Sequence, residues 1–281
     1  MAVKDLLLPL TTWPVRTGAR AVENAIALAG ALGAHISAMA FELDIQSPIG
    51  LYADPVGVRG ILAADRKTSA ENARALVDAF ATIAAKAGVP HDHTLVHCPP
   101  LEVSGHLARA ARLCDLTLVP LKDGEGTGQE LAERLVFESG RPILVFPEEP
   151  KGELRPSLAT VAVAWDFSRP SARAVADAMP LLRRAKAVRF FTVVDDKAIK
   201  DAGRGDTLAR HLARHGVDAS MENVRSGGRP IGRVFEAYLA EHEADLLVMG
   251  AYGHSRMREF ILGGATDNML TRPPTWVLMS H

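Results

Sequence analysis

Residues 243–270 of the chain read EADLLVMGAYGHSRMREFILGGATDNML, and this stretch decides the fold. Its apolar run, 246–249, has the length and composition of a buried strand. Glycines follow the run at positions 250, 253 and 263. In open parallel α/β sheets, ligands bind at the carboxyl ends of the strands, where glycine lets the backbone approach a phosphate closely. Turns that need a positive φ explain the same glycines, so the spacing alone leaves both interpretations open.

The composition excludes several classes of function. A chain of 281 residues with 48% hydrophobic and 23% charged residues is typical of one large or two ordinary globular domains. A formal net charge of -1 and an aromatic content of 5% argue against nucleic acid and acidic membranes as main partners. No stretch is long and apolar enough to span a bilayer, and Met1 to Leu10 lacks the apolar core of a signal peptide, so we expect a cytoplasmic protein.

Two copies of one unit are visible in the chain. LCDLTLVP and EADLLVMG each place an aspartate, Asp115 or Asp245, before an apolar strand. AAKAGVPHDHTLVHC likewise matches LARHGVDASMENVRS. Between the copies, FPEEPKGELRPS (146–157) has the prolines and alternating charges of a linker. We therefore predict two domains, 1–150 and 151–281.

Strands and helices alternate in both halves. In the second half we expect strands over 160–165, 187–194, 219–224, 245–249 and 275–279, and helices from 171, over 201–215, over 231–241 and from 265. The first half repeats this order, with a Gly- and Pro-rich insertion at 43–64 that we expect to be a mobile loop or lid. The order predicts an α/β fold of two tandem, doubly wound, parallel five-stranded sheets of Rossmann-like type.

The glycine pattern resembles the ATP-binding signature of the universal stress protein family: glycine, two residues, glycine, nine residues, glycine, then serine or threonine. Gly250, Gly253 and Gly263 fit this spacing, and Gly264 stands where the hydroxyl residue is expected. The resemblance covers essentially the whole chain, because the five-stranded unit is the family's domain, of adenine nucleotide alpha hydrolase-like fold, and the tandem form is a known arrangement. It implies a stress-response regulatory protein that binds ATP or a related adenine nucleotide in its C-terminal domain.

The resemblance implies two further nucleotide contacts in the second half. Asp166, in AWDFSRPSA, matches an aspartate at the end of the first strand that contacts adenosine. A carboxylate there can accept hydrogen bonds from ribose hydroxyls, although a turn aspartate is the alternative interpretation. Ser168 follows as a helix cap. Val193, which ends the second strand, matches a residue whose backbone holds the adenine.

The hydroxyl missing at position 264 weakens the expected site without removing it. Gly264 and Ala265 still offer backbone N–H groups at the start of the last helix. One lost side-chain hydrogen bond costs about 0.5–1.5 kcal/mol, or at most about tenfold in affinity. Thr266 can supply a hydroxyl to the same helix terminus. Magnesium is expected to accompany ATP.

The first half departs much further from the family pattern. Thr11 stands about where the aspartate belongs, and Pro120 and Asp123 stand roughly at the first two glycines. Proline cannot donate a backbone N–H, and an aspartate repels phosphate. We therefore predict a degenerate domain that binds no nucleotide and serves as a built-in dimer partner, with the last strands of the two halves, 142–146 and 275–279, paired or abutting.

Other reactive residues give no assignable site. His91, His93 and His97 alternate along a predicted strand, but polar residues are ordinary there because the family's third strand is usually at the sheet edge, and we predict no metal. Cys98 and Cys114 make no metal spacing and are expected to be buried thiols.

No catalytic residue is assigned, and two other functions stay open. The glycine turn in RSGGRP (225–230) leads into the third helix, where Gly228 could border the nucleotide. No nucleophile or general base stands at a recognisable spacing, so an enzyme would be at most a slow ATPase. Decay of both sites would instead leave a nucleotide-independent interaction module. The sequence identifies neither the protein partner nor whether two chains associate.

Overall fold

Ten strands and eight α-helices alternate along the residues that the computed structural model describes, 2–46, 58–124, 126–195, 205–252 and 264–281. The strands are β1 (Asp5–Leu10), β2 (His35–Leu43), β3 (His91–Cys98), β4 (Leu116–Leu121), β5 (Ile143–Pro147), β6 (Thr160–Ala164), β7 (Ala187–Val193), β8 (Ser220–Val224), β9 (Leu246–Gly250) and β10 (Trp276–Ser280). The helices are α1 (Ala19–Leu32), α2 (Val58–Ala87), α3 (Val103–Ala111), α4 (Gly126–Glu138), α5 (Arg169–Leu182), α6 (Gly205–Arg214), α7 (Ile231–Glu241) and α8 (Ala265–Thr271). The mostly parallel strands confirm the predicted α/β class.

Residues Lys4–Leu118 form one of two compact units. Its strands are parallel and stand in the order β3-β2-β1-β4. Five of the six residues of β1, Leu6–Leu10, are buried. A parallel strand is apolar on both faces when helices cover both sides of the sheet, which explains why DLLLPL shows no polar alternation.

The second unit comprises Met1–Val3 and Val119–His281. Its strand order is β5-β10-β9-β6-β7-β8, and β10 is parallel to β9 but antiparallel to β5. Val277 pairs with Val145 across this antiparallel ladder, and the rings of Phe146 and Trp276 lie 4.6 Å apart in the core. The predicted pairing of the last strands of the two halves is therefore confirmed.

The repeated aspartates have the same structural role in both halves. Asp115 accepts a hydrogen bond from the Lys4 N–H at 2.7 Å, and Asp245 accepts one from the Thr160 N–H at 2.9 Å. In return, the N–H groups of the two aspartates donate to the carbonyls of Asp5 and Thr160. Each aspartate thus ties the start of the fourth strand to the start of the first, which accounts for its place in the repeat.

The insertion predicted over 43–64 agrees with the structure at its start to within one residue, since β2 ends at Leu43, and is wrong at its end, because α2 begins at Val58. The run ILAADRK after Gly60 is rich in good helix formers (Leu, Ala, Arg and Lys), and these outweigh the glycines and proline before it. Residues 47–57 lie outside the described residues. The domain boundary at 150/151 stays a prediction. The spatial division places β5, which lies before this boundary, in the same unit as its partner strand β10.

The two cysteines differ in exposure, which corrects the expectation that both are buried. Cys98 is 3% exposed, and burial raises the pKa of its thiol, whereas Cys114 is half-buried. None of the helices in the described part of the chain has the length and apolar character needed to cross a membrane.

Candidate functional site

The register of three neighbouring strands brings three predicted site residues to one edge of the sheet. β6 lies between β9 and β7, and Ala164, its last residue, pairs with Met249 on one side and Phe191 on the other. All three strands are parallel, so their carboxyl ends meet. Gly250 ends β9, Val193 ends β7, and Asp166 follows β6 by two residues.

A tight turn fixes Asp166 at this edge. Its Oδ1 accepts a hydrogen bond from the Ser168 N–H at 2.9 Å, and Phe167 between them has a φ of 60°. Ser168 is the N-cap of α5, and its Oγ accepts from the Ser171 N–H at 3.2 Å, as the cap prediction requires. A carboxylate has about four acceptor sites, so a turn and a ligand hydroxyl can share it.

Val193 stands between two anchors. The Thr192 hydroxyl donates to the Trp165 carbonyl at 2.8 Å, which ties the end of β7 to the chain just before Asp166. On the other side, the Val194 N–H donates to the Val224 carbonyl at 3.0 Å. The backbone at Val193 is therefore held from both neighbouring strands.

Gly250 is required by packing. A Cβ at this position would lie 2.8 Å from the Cβ of Pro170 and would collide with the Ser171 nitrogen at the start of α5. Only a residue without a side chain lets the helix approach the strand end this closely. The glycine spacing in the sequence indicates a turn or phosphate approach, and it contains no signal for this contact with α5.

Thr266 joins the start of α8 to the end of β9. Its Oγ1 accepts a hydrogen bond from the Tyr252 N–H at 3.3 Å, and Tyr252 has a φ of 58°. Gly264, in extended conformation, is the N-cap, and Ala265 is the first residue of the seven-residue helix. The Thr266 hydroxyl oxygen thus accepts a hydrogen bond within the protein. Gly253 and Gly263 lie outside the described residues, so their predicted role is untested.

Asp195, which the sequence analysis missed, holds the glycine turn after β8. Its two carboxylate oxygens accept hydrogen bonds from the N–H groups of Ser226, at 2.6 Å, and Gly227, at 3.2 Å. The Ser226 N–H, the stronger cause, keeps the pKa of this carboxyl below its ordinary value of 3.8. Gly227 and Gly228 both have positive φ, so they form a turn, and the role of Gly228 beside a nucleotide stays a prediction.

The corresponding strand ends of the first half are joined by a buried hydrogen-bond network from α2. The Ser69 Oγ lies 3.0 Å from the Thr12 Oγ1 and accepts the Leu43 N–H at 3.1 Å. The Thr12 hydroxyl donates to the Phe41 carbonyl, and the Asn72 amide donates to the Thr12 carbonyl at 2.9 Å. Ser69 is fully buried. Side chains of the protein itself therefore occupy the space at the carboxyl end of this half's first strand.

The first-half residues that depart from the family pattern make structural contacts of their own. The Thr11 N–H donates to the Thr17 hydroxyl, and Pro120 lies inside β4. Asp123 forms an ion pair with Arg272, with Nε and Oδ2 2.8 Å apart, so its charge faces a cation. The absence of nucleotide from this half stays a prediction.

The histidines of β3 form no recognisable metal site. The His91 ring lies against Phe80, and its Nδ1 is 2.8 Å from the Val89 carbonyl oxygen. No cluster of three or more metal-ligating side chains occurs within the described residues. β3 pairs with β2 at the edge of its sheet, as expected for a strand with polar residues.

Comparison with known proteins identifies the second half most clearly. Residues 158–281 match the model of the universal stress protein family. No curated protein sequence matches the chain.

Solved structures with the same fold span nearly the whole chain. A universal stress protein from Archaeoglobus fulgidus DSM 4304 is 16% identical, covers 98% of this chain and 95% of its own, and superposes with a TM-score of 0.69. A provisionally assigned universal stress protein from Pseudomonas aeruginosa UCBPP-PA14 is 13% identical, with 99% and 93% covered and a TM-score of 0.59. The cytoplasmic domain of a prokaryotic cation chloride cotransporter, 14% identical, covers 99% and 95% with a TM-score of 0.52. Such low identities show the fold alone.

Proposed function

Residues 158–281 form a universal stress protein domain, and on this premise we propose that the chain binds ATP or a related adenine nucleotide in its C-terminal half. The protein would act as a cytoplasmic regulator in a stress response, with nucleotide occupancy as its signal. The observation that carries the proposal is the meeting of Asp166, Val193 and Gly250 at the carboxyl ends of three adjacent parallel strands.

Each group at this edge suits one part of an adenine nucleotide. The Asp166 carboxylate can accept hydrogen bonds from ribose hydroxyls. The backbone at Val193, held from both sides, can pair with the polar edge of adenine. The resemblance assigns the phosphates to Gly250, Gly253 and Gly263 and to the amides of Gly264, Ala265 and Thr266, and any magnesium ion would arrive with them.

ATP titration calorimetry on the emptied protein tests this proposal, with Asp166→Ala as the test variant. A hydrogen bond to a charged group contributes about 1.5–3 kcal/mol, so affinity should fall by about tenfold or more. Thr11→Ala, the corresponding change in the first half, is the matched control and should bind as wild type. Unchanged binding by Asp166→Ala, with its circular dichroism intact, would refute the assignment.

A nucleotide-independent interaction module is the second candidate. It is favoured by Gly264, which has no hydroxyl to donate to a phosphate. No catalytic residue belongs to either proposal, so turnover should be at most a slow ATP hydrolysis. Absence of binding heat with both ATP and ADP would favour this candidate over the first.

A further inference from the structure

Helix α4, which precedes the predicted boundary at 150/151, packs within unit 119–281 against the two segments that flank residues 253–263. These segments are Ala251–Tyr252, after β9, and α8. One polar and one aromatic side chain of α4 make the contacts. α4 therefore reaches the part of the second half to which the proposed function assigns the phosphates.

The polar contact is made by Gln129, which bridges both ends of α8. Its Nε2 lies 3.2 Å from the Oδ1 of Asp267, in the first turn of the helix. Its Oε1 lies 3.4 Å from the hydroxyl of Thr271, the last residue of the helix. Gln129 is half-buried, and its Nε2 also lies 3.2 Å from Glu133 on α4. A single side chain thus contacts α8 at two positions about one helical turn apart.

The aromatic contact is made by Phe137, near the end of α4. Its ring centroid lies 4.9 Å from that of Tyr252 and 4.7 Å from that of His281. His281 Nδ1 is in turn 3.0 Å from the Ala251 carbonyl oxygen. Phe137 therefore packs on Tyr252, whose N–H reaches Thr266 in α8.

We propose that Gln129 and Phe137 are positioning residues, through which the first half sets the nucleotide affinity of the second. A seven-residue helix cannot be stable by itself, so α8 depends on tertiary contacts for its order. Tyr252, in a left-handed conformation that is costly for a side-chain-bearing residue, equally needs support. Without α4, a nucleotide would have to order both segments on binding, and its affinity would fall by that cost. This inference rests on the proposed function and gives the degenerate half a role in it.

The test combines ATP titration calorimetry with hydrogen exchange on the nucleotide-free full chain, for Gln129→Ala and Phe137→Ala. Each variant should raise the Kd for ATP by roughly three- to thirtyfold. Each should also speed amide exchange in peptides covering 251–252 and 264–271. Glu130→Ala, an exposed change on the same helix, is the matched control and should alter neither quantity.

The outcomes separate this inference from the proposed function. ATP binding by wild type with unchanged Kd and exchange in both variants would overturn the positioning role and leave the nucleotide site standing. Absence of ATP binding by wild type would overturn the proposed function, and the inference with it. Gln129→Ala removes only polar contacts of a half-buried side chain, so we expect this variant to stay folded. It therefore tests the positioning role even if Phe137→Ala unfolds.

Discussion

The carboxyl ends of β1 and β2 differ from those of β6 and β7, although the two pairs are copies of one unit. In the first half, Ser69 from α2 is fully buried and bonds both to Leu43, at the end of β2, and to Thr12, which follows β1. In the second half, the bond between Thr192 and the Trp165 carbonyl joins neighbouring strands directly, and Asp166 lies in a turn beside them. The same sheet edge is thus filled by the protein's own side chains in one half and bordered by a carboxylate in the other.

The two halves share one structural aspartate and differ at the residue predicted to contact a nucleotide. Both halves retain the aspartate that ties the fourth strand to the first, because that bond stabilises the sheet whatever the edge binds. The first half has Thr11 where the second has Asp166, and a buried network stands beside it. Both halves therefore have the structural aspartate of the repeat, whereas only the second half has the predicted ligand residue, Asp166.

Gly250→Ala should cause the largest loss of stability of the four changes to the structure, and this loss should fall on the second half. Its Cβ would collide with the backbone at the start of α5, and overpacking of this kind costs about 1–3 kcal/mol, occasionally more. Urea denaturation measures the loss, and ATP affinity should fall with it. Gly152→Ala, in open space, is the matched control and should be neutral. Wild-type stability in Gly250→Ala would show that α5 does not pack as described.

Removing the repeated aspartates should destabilise both halves, and Asp245→Ala should lower the free energy of unfolding more than Asp115→Ala. Asp245 is 5% exposed and also lies 3.4 Å from Arg155, whereas Asp115 is half-buried. A hydrogen bond to a charged group contributes about 1.5–3 kcal/mol, with the upper end expected for Asp245. Equal losses of stability for the two variants in thermal unfolding would contradict the expectation that the more buried aspartate contributes more.

Ser69→Ala tests whether the network at the first half's strand ends stabilises the fold. The change removes the acceptor of the Leu43 N–H and a partner of Thr12, and an unsatisfied buried donor costs about 1–3 kcal/mol. Partial relief by water should place the result at the lower end of that range. Chemical denaturation provides the measurement, with exposed Ser220→Ala as control. A neutral result for Ser69→Ala would remove the network as a stabilising feature.

Asp195→Asn should have the smallest effect, confined to the turn at 226–228. The pKa of Asp195 is lowered, so its contribution is fully present above the ordinary value of 3.8 and is lost as pH falls through the lower folded value. Amide exchange at Ser226 and Gly227, corrected for intrinsic rates, should therefore show extra opening below about pH 3.8 in wild type. The variant should show the open rate at neutral pH as well. Corrected exchange rates at Ser226 and Gly227 that do not change with pH would contradict the role of Asp195 in holding this turn.

Much of the fold could be predicted from the sequence, because its signals are local. Periodic apolar runs and helix-ending glycines such as Gly216 placed the elements of the second half within a few residues wherever they are described. The pairing of β5 with β10 was predicted from the family resemblance, and it is confirmed. The helix over 58–64 was missed, because the Gly- and Pro-rich segment before it suggested a loop.

The contacts between distant segments could not be predicted. The packing of Gly250 on Pro170 depends on where α5 crosses β9, which no local pattern encodes. Gln129 and Asp267 are 138 residues apart, and Asp195 meets Ser226 only because β7 and β8 are neighbours. Asp166 and Val193 were singled out from the family resemblance, and the structure brings them to one sheet edge. Nucleotide contact at these residues stays a prediction.

The number of adenine nucleotides bound per chain tests most directly the claim that only the second half binds. Small molecules released on denaturing freshly purified protein would be identified by mass spectrometry, and ATP would then be titrated into the emptied chain by calorimetry. The account predicts one nucleotide per chain. Two per chain would show that the first half's filled edge still binds nucleotide, and none would show that the site in the second half has decayed as well.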